Sequence, residues 1–261
     1  MKTEYEVINS SNRGYKGVSF PDAEFEEYLR GSVKDKLNDQ EINSVLLNDL
    51  ATLKGDTGFK SDILLADIQS LVGSRASFRT WEIGEAFAEE VLSNEFQCRF
   101  YWNARRDSRN PNENRAGADL VGFIESQNEV YFLFGEVKTS SEDRKPPTVM
   151  KSMESQLKQL AESQEVRHNL IKYLCSKIPL SEESSFKTDF NRARRSYYKD
   201  EKMQLIGVLV RDTEVNKKDI SGSYNFLDKL VKDSYGIRLI AMYVSISKQM
   251  WPTIMNTRGK Q

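Results

Sequence analysis

The chain has 261 residues, 38% apolar and 30% charged, with 38 Lys and Arg against 39 Asp and Glu and a net charge of −1. At 30.1 kDa and a mean hydropathy of −0.61 it can bury a sizeable core, and no apolar run approaches the roughly 20 residues of a membrane helix, so a soluble cytoplasmic protein without membrane association is expected. One histidine, His168, and two cysteines, Cys98 and Cys175, in no ligand spacing argue against zinc chemistry and a Ser-His-Asp triad, and the absence of a P-loop or Gly-x-Gly-x-x-Gly run argues against nucleotide hydrolysis.

In chain order, Met1 to Tyr5 lacks the apolar segment of a signal peptide, and both cysteines read as buried thiols of a reducing compartment. Helices are expected over Ala23 to Leu37 and over Glu41 to Leu53, where Ile42, Val45, Leu46, Leu50 and Leu53 keep helical register. Gly55 to Gly58 breaks that pattern, and Ile63-Leu64-Leu65 is a short apolar run. Residues 1–73 therefore read as a mostly helical extension and a candidate partner surface, and residues 74–261 as the core. A helix over Phe78 to Leu92 carries the stripe Ile83, Phe87 and Val91, followed by a strand over Phe96 to Trp102. After a polar stretch come two strands, Ala118 to Ile124 and Val130 to Lys138, around the hairpin loop Glu125 to Glu129. A loop through Pro146-Pro147 leads to a helix starting near Val149, with Met150, Met153, Leu157 and Leu160 as its buried stripe. A further helix follows Ser181 to Ser184. The apolar run Leu205 to Val210 is a strand; Phe226, Leu227, Leu230 and Val231 mark a helix, Gly236 a stop, and Ile237 to Ile246 a last strand.

The hairpin carries the chemistry. With its turn centred between Gln127 and Asn128, Asp119 and Glu136 face each other with Cβ atoms roughly 4.5–5.5 Å apart, and Lys138, two residues on, projects from the same face as Glu136. Two carboxylates at the end of an apolar strand repel each other and lose hydration unless a cation is present. Hard oxygen donors suit Mg²⁺ or Mn²⁺, whose remaining waters a phosphate can replace, and a neighbouring lysine can orient the attacking water and offset phosphate charge. That combination predicts phosphodiester hydrolysis. The triplet alone is permissive, since Asp143-Arg144-Lys145 and Asp200-Glu201-Lys202 also fit it in polar segments; the apolar strand and the facing aspartate give it meaning. The ordinary alternative is an interstrand ion pair.

These residues resemble the PD-(D/E)xK nuclease superfamily, whose restriction-endonuclease-like α/β core runs helix, three strands, helix, strand around a central mixed sheet. The resemblance covers roughly residues 78–211. It implies that Gly84-Glu85-Ala86-Phe87-Ala88 with Leu92 matches the superfamily's Gly-Glu-x-x-Ala-x-x-x-Leu helix, so that Glu85 enters the metal site, with Glu82 one turn earlier as the fallback. It also implies Glu85, Asp119, Glu136 and Lys138 as catalytic residues, the Val137 carbonyl as a further metal ligand, and Gln156 or Gln159 as the helix glutamine of RecB-like members. The Arg79 to Glu85 helix start, Gly-Ala-Asp-Leu-Val-Gly and Gly-Glu-Val-Lys-Thr-Ser look more narrowly like HamA, the nuclease subunits of the bacterial Hachiman antiphage system. This narrower likeness implies a DNA nuclease restrained by a helicase partner, HamB.

Two basic clusters complete the reading. Arg105, Arg106, Arg109 and Arg115 lie between the first two core strands, and Arg192, Arg194, Arg195 and Lys199 alternate with Tyr197 and Tyr198. Phosphate contact and base stacking are their functional reading, and a solvated helix face with Phe186, Phe190 and Tyr197 turned inward is the plain one. The competing function is a catalytically idle nucleic-acid-binding or assembly subunit on the same fold.

Overall fold

The computed structural model describes residues 1–57, 77–102, 117–178 and 184–257. Seven strands form one mixed sheet: β1 (Lys2–Ser10), β2 (Arg13–Phe20), β3 (Cys98–Arg99), β4 (Leu120–Ser126), β5 (Glu129–Ser140), β6 (Met203–Arg211) and β7 (Tyr235–Val244), in the order β1-β2-β7-β6-β5-β4-β3. Neighbours β5, β6, β7 and β2 run parallel, and the outer strands on both sides are antiparallel. The described helices are α1 (Asp22–Arg30), α2 (Ser32–Leu37), α3 (Gln40–Thr57), α4 (Thr80–Glu95), α5 (Val149–Glu162), α6 (Gln164–Ser176), α7 (Ser185–Asp200), α8 (Lys218–Leu230) and α9 (Trp251–Asn256).

Each face of the sheet has its own hydrophobic core. Helices α1, α2, α4 and α9 bury Phe25, Leu29, Val33, Phe87 and Trp251 against Leu133, Val137, Val208 and Ile240. Helices α5 to α8 bury Met153, Leu157, Phe190 and Tyr224 against Phe132, Phe134, Leu209 and Leu239. Alternate residues of β5 supply the two cores, so the near-continuous apolar run of this strand follows from burial on both faces. The connections β5 to β6 and β6 to β7 place α5, α6, α7 and then α8 over the second face, as parallel neighbours require.

In chain order α4, β3, β4, β5 and α5 follow one another as expected, and α6 and α7 then intervene before β6. In α5, Met150, Met153, Leu157 and Leu160 are all buried, as their spacing required. Several expectations change. The N-terminal segment opens with two strands rather than helices; β2 pairs in parallel with β7 from Arg13↔Ile237 to Phe20↔Val244, so residues 13–20 belong to the main sheet. The helix expected over Ala23 to Leu37 breaks at Gly31 into α1 and α2. The strand expected from Phe96 to Trp102 shortens to Cys98–Arg99, because Phe96 still closes α4 and Gln97, at φ 56°, turns the chain. Phe226 faces solvent at 47% exposure, while its neighbour Leu227 enters the core. Of the thiols, Cys98 is buried and Cys175 is exposed. No helix among the described residues is long and apolar enough to cross a membrane.

Candidate active site

The β4–β5 hairpin sets the site. Gln127 and Asn128 both have positive φ, 52° and 63°, the geometry of a two-residue turn whose twist matches its strands. Pairing then runs without a bulge from Ser126↔Glu129 to Leu120↔Gly135, the expected register. Continued by one residue past the start of β4, it sets Asp119 against Glu136.

Lys138 Nζ joins the two acids, 2.8 Å from Glu136 Oε2 and 3.3 Å from Asp119 Oδ2. The backbone N–H of Val137 also donates to Asp119 Oδ2 at 2.9 Å, which fixes this carboxylate at the mouth of the strand pair. The three groups differ in exposure: the Glu136 side chain is 2% exposed, that of Lys138 17% and that of Asp119 25%. Glu136 pairs across the parallel ladder with Gly207, and a Cβ on Gly207 would collide with Leu239, Met153 and Leu157. The missing side chain lets α5 close on the sheet beside Glu136 and keeps water away.

Burial drives the Glu136 pKa well above the ordinary carboxylate range; the Asp119 charge adds to the rise and Lys138 opposes it. For Lys138 burial acts downward, but Asp119 and Glu136 outweigh it and the ammonium is held more firmly than usual. The site is therefore a desolvated like-charge pair with one cation against it. Two hard oxygen donors, one of them open to solvent, fit a divalent ion that keeps several waters.

Glu85 is half-buried on α4, the helix that covers the opposite face. A Cβ on Gly84 would collide with Thr139 Oγ1, so this glycine permits α4 to lie against the residue after Lys138. The structure thus joins Asp119, Glu136 and Lys138, and sets Glu85 on an element packed against the same strand end. Glu82 serves the helix itself, since its Oε2 accepts the Arg79 N–H at 2.8 Å at the start of α4. Among the described residues, no group of three or more His, Cys, Asp or Glu is gathered closely enough to hold a metal. Gln156 is half-buried and accepts from Ser152 Oγ at 3.0 Å, whereas Gln159 is exposed.

The expected arginines divide. Arg105, Arg106, Arg109 and Arg115 lie outside the described residues. Arg194 and Arg195 are exposed on α7, and Arg192 beside them pairs with Glu125 at 3.1 Å and donates to the Asn128 carbonyl at 2.8 Å. This cluster flanks the turn of the hairpin, at the other end of β5 from Lys138. His168 is exposed on α6.

A second charged cluster was not foreseen from the sequence. Arg211, the last residue of β6, is fully buried with Asp219, its Nε 3.4 Å from Asp219 Oδ2. Its guanidinium donates to the Glu142 carbonyl and, at 2.8 Å, to Thr213 Oγ1, while Tyr243 Oη donates to Asp219 Oδ2 at 3.0 Å. Arg211 therefore ties down the loop that follows Lys138. The available signal was an arginine closing an apolar strand, level with Ser140 and two residues beyond Lys138 on β5.

The family model HamA matches residues 11–244, most of the chain. No curated protein matches it.

Proposed function

The chain belongs to the HamA family, and we propose that it is a metal-dependent DNA nuclease of PD-(D/E)xK type with a restriction-endonuclease-like core, serving the Hachiman antiphage system. The observation that carries this reading is Lys138 held between Asp119 and Glu136 at the end of a buried strand. A purely structural ion pair needs one acid for one base. Here a second carboxylate is kept beside the first, which is unfavourable until a divalent cation binds.

Asp119 and Glu136 would hold Mg²⁺ or Mn²⁺, with the Val137 carbonyl and Glu85 completing the set directly or through water. The ion, when bound, supplies a polarised phosphate and a more acidic water. Asp119 would be held in place for the ion by the Val137 N–H, and Glu136 would keep bulk water out. Lys138, no longer needed to neutralise both acids, would turn its ammonium to the attacking water and to the phosphate oxygens. Residues 1–73 and the arginines from Arg105 to Arg115 are the proposed contact surfaces for a helicase-type partner resembling HamB. That partner would restrain cleavage until it moves on DNA.

The test is cleavage of DNA in Mg²⁺ by the isolated chain and by the complex purified from native cells. Cleavage by the free chain, its suppression in the complex and its loss in Glu136→Ala are expected. Wild-type cleavage by Glu136→Ala would refute the site, and equal activity of chain and complex would refute the restraint alone. The second reading, a catalytically idle nucleic-acid-binding or assembly subunit, draws on the same ion pair, since Lys138 contacts both carboxylates. Calorimetric titration with Mg²⁺ of the wild type and Asp119→Asn separates the two, because an idle subunit would bind no metal in either.

A further inference from the structure

A cavity of about 190 Å³ lies between β1, β2, β7 and the end of α4, with Glu6, Ile8, Lys16, Phe96, Arg238 and Ile240 in its wall. Arg238 is its unusual member. Its half-buried guanidinium donates to the Ser11 carbonyl, and among the described residues no carboxylate stands within ion-pair distance of it. The arginines held inside the fold elsewhere are better served. Arg13, Arg167 and Arg211 each reach three or more acceptors. A guanidinium has five N–H donors, so Arg238 keeps donors for a group from outside the chain.

A second cation shares its face of the sheet. Gly14 pairs with Arg238 and Lys16 with Ile240, which makes Arg238 and Lys16 diagonal neighbours on the side covered by α4. Lys16 Nζ stands 3.6 Å from Glu6 Oε1 and 5.9 Å from the centroid of the Phe96 ring, a loose pairing. Glu6 and Glu95 are the acids of the wall, and both are exposed. Burial pushes the Cys98 thiol, which interacts with Arg238, up to about 12, so it stays neutral and supplies no counter-charge. Burial also lowers the Arg238 pKa against the opposing pull of Cys98 and Glu6, as expected of a desolvated cation without a close acid.

We propose that Arg238 and Lys16 form a binding site for one phosphate group, free or at the end of a larger molecule, separate from the Asp119–Glu136 site. The planar fork of Arg238 matches two phosphate oxygens at once, and Lys16 supplies a point charge to a third. The volume sets the size of the occupant. It falls below the roughly 300 Å³ at which sites for drug-sized ligands begin, so the cavity takes a single oxyanion and leaves any larger molecule outside. Ile240 and Phe96 give the site apolar walls, which strengthen a charge-assisted hydrogen bond. On binding, Lys16 would leave Glu6, whose exposed carboxylate can turn to water. Glu136 packs beside α5 on the other face of the sheet, so the proposal does not depend on the nuclease reading.

The test is calorimetric titration of the full chain with inorganic phosphate, in chelator so that no metal takes part. Saturable binding with a dissociation constant of about 1 mM or tighter is expected, weakened about tenfold or more in Arg238→Gln. Arg238→Lys, which keeps the charge and loses the fork, should fall between the two. Lys16→Gln should weaken binding to a smaller degree. Glu6→Gln should bind phosphate more tightly than wild type, because it removes a like charge and the competitor for Lys16; a residue that only held the fold would not raise affinity. Lys16 and Glu6 lie on strands near the surface, so these two variants decide the matter even if Arg238→Gln fails to fold. Competition by an oligonucleotide with a terminal phosphate, and not by its unphosphorylated form, would assign the site to a nucleic-acid end, and competition by neither would assign it to the free anion; both uphold the site. Absence of saturable binding, unchanged affinity in a folded Arg238→Gln, or weaker binding in Glu6→Gln would overturn it.

Discussion

Two charged clusters sit at the same end of the parallel strands and are built on opposite principles. At the end of β6, Arg211 and Asp219 are one base and one acid, both fully buried, with Thr213, Tyr243 and the Glu142 carbonyl taking up hydrogen bonds. At the end of β5, one lysine faces two acids, and exposure rises from Glu136 through Lys138 to Asp119. The first cluster balances its charges and is closed to solvent, although Asp219 Oδ1 is buried without a hydrogen-bond partner, and it holds structure. An unbalanced pair, open on one side, has a place for something from solution. The proposed chemistry is therefore placed at the hairpin, and the scaffold for its loop at Arg211.

The sharpest way to break this contrast is to remove one charged partner from each cluster. Glu136→Ala should reduce DNA cleavage to background while urea denaturation shows a folded chain, and Lys138→Ala should lower turnover by about 10² to 10³-fold with a smaller effect on metal affinity. Arg211→Ala should act on stability instead: leaving Asp219 buried without its partner destabilises by about 3–5 kcal/mol, read from the shift in denaturation midpoint. If Arg211→Ala were as stable as wild type, the two clusters would not differ as argued.

Metal should also tell them apart. Mg²⁺ at about a hundred times its dissociation constant should stabilise the chain by roughly 2.7 kcal/mol through binding to the folded state alone, and this gain should disappear in Asp119→Asn. The same gain in Asp219→Asn as in wild type is expected, since that carboxylate already has its cation. Thermal unfolding with and without Mg²⁺ reads both outcomes; a loss in Asp219→Asn would place the metal at the wrong cluster.

The two clusters were unequally legible in the sequence. The hairpin could be read because its information is local: a polar stretch of five residues whose middle contains the turn, apolar strands on either side and a register fixed by the turn centre. Asp119, Glu136 and Lys138 fall within twenty residues of one another. The buried pair depends on Asp219 in α8 and Tyr243 in β7 meeting Arg211, contacts that arise only after the parallel strands have ordered. The strands β1 and β2 were missed for a related reason. β1 is an exposed edge whose Lys2, Glu4 and Glu6 mask its strand pattern, and β2 is identified by pairing with β7, more than two hundred residues away. The break at Gly31 was within reach, since a glycine inside a helical pattern signals a possible end. The α7 arginines show the opposite failure: composition suggested phosphate contacts, but only the fold revealed that they flank the hairpin turn, roughly 30 Å along β5 from Lys138.

The smallest expected effect concerns the helix carboxylate. Glu85 belongs to α4, which lies on the other face of the sheet, and would have to reach the proposed site around the strand end where Gly84 fits against Thr139. A ligand reaching around the strand end in this way should act through water and contribute less than the two hairpin acids. Loss of such an outer contact lowers metal affinity by about 10- to 100-fold, so Glu85→Ala should weaken Mg²⁺ binding within that range, and Asp119→Ala by more. Gly84→Ala gives an independent measure, because it moves α4 away from Thr139 without removing a carboxylate; its metal affinity should fall in the same direction as that of Glu85→Ala. Glu82→Ala, in contrast, should lower stability by about 1 kcal/mol through the lost hydrogen bond from the Arg79 N–H and leave metal affinity unchanged. Full metal affinity in Glu85→Ala together with its loss in Glu82→Ala would move the assignment one turn toward the helix start, and Glu82 would then have to leave the Arg79 N–H to serve the site.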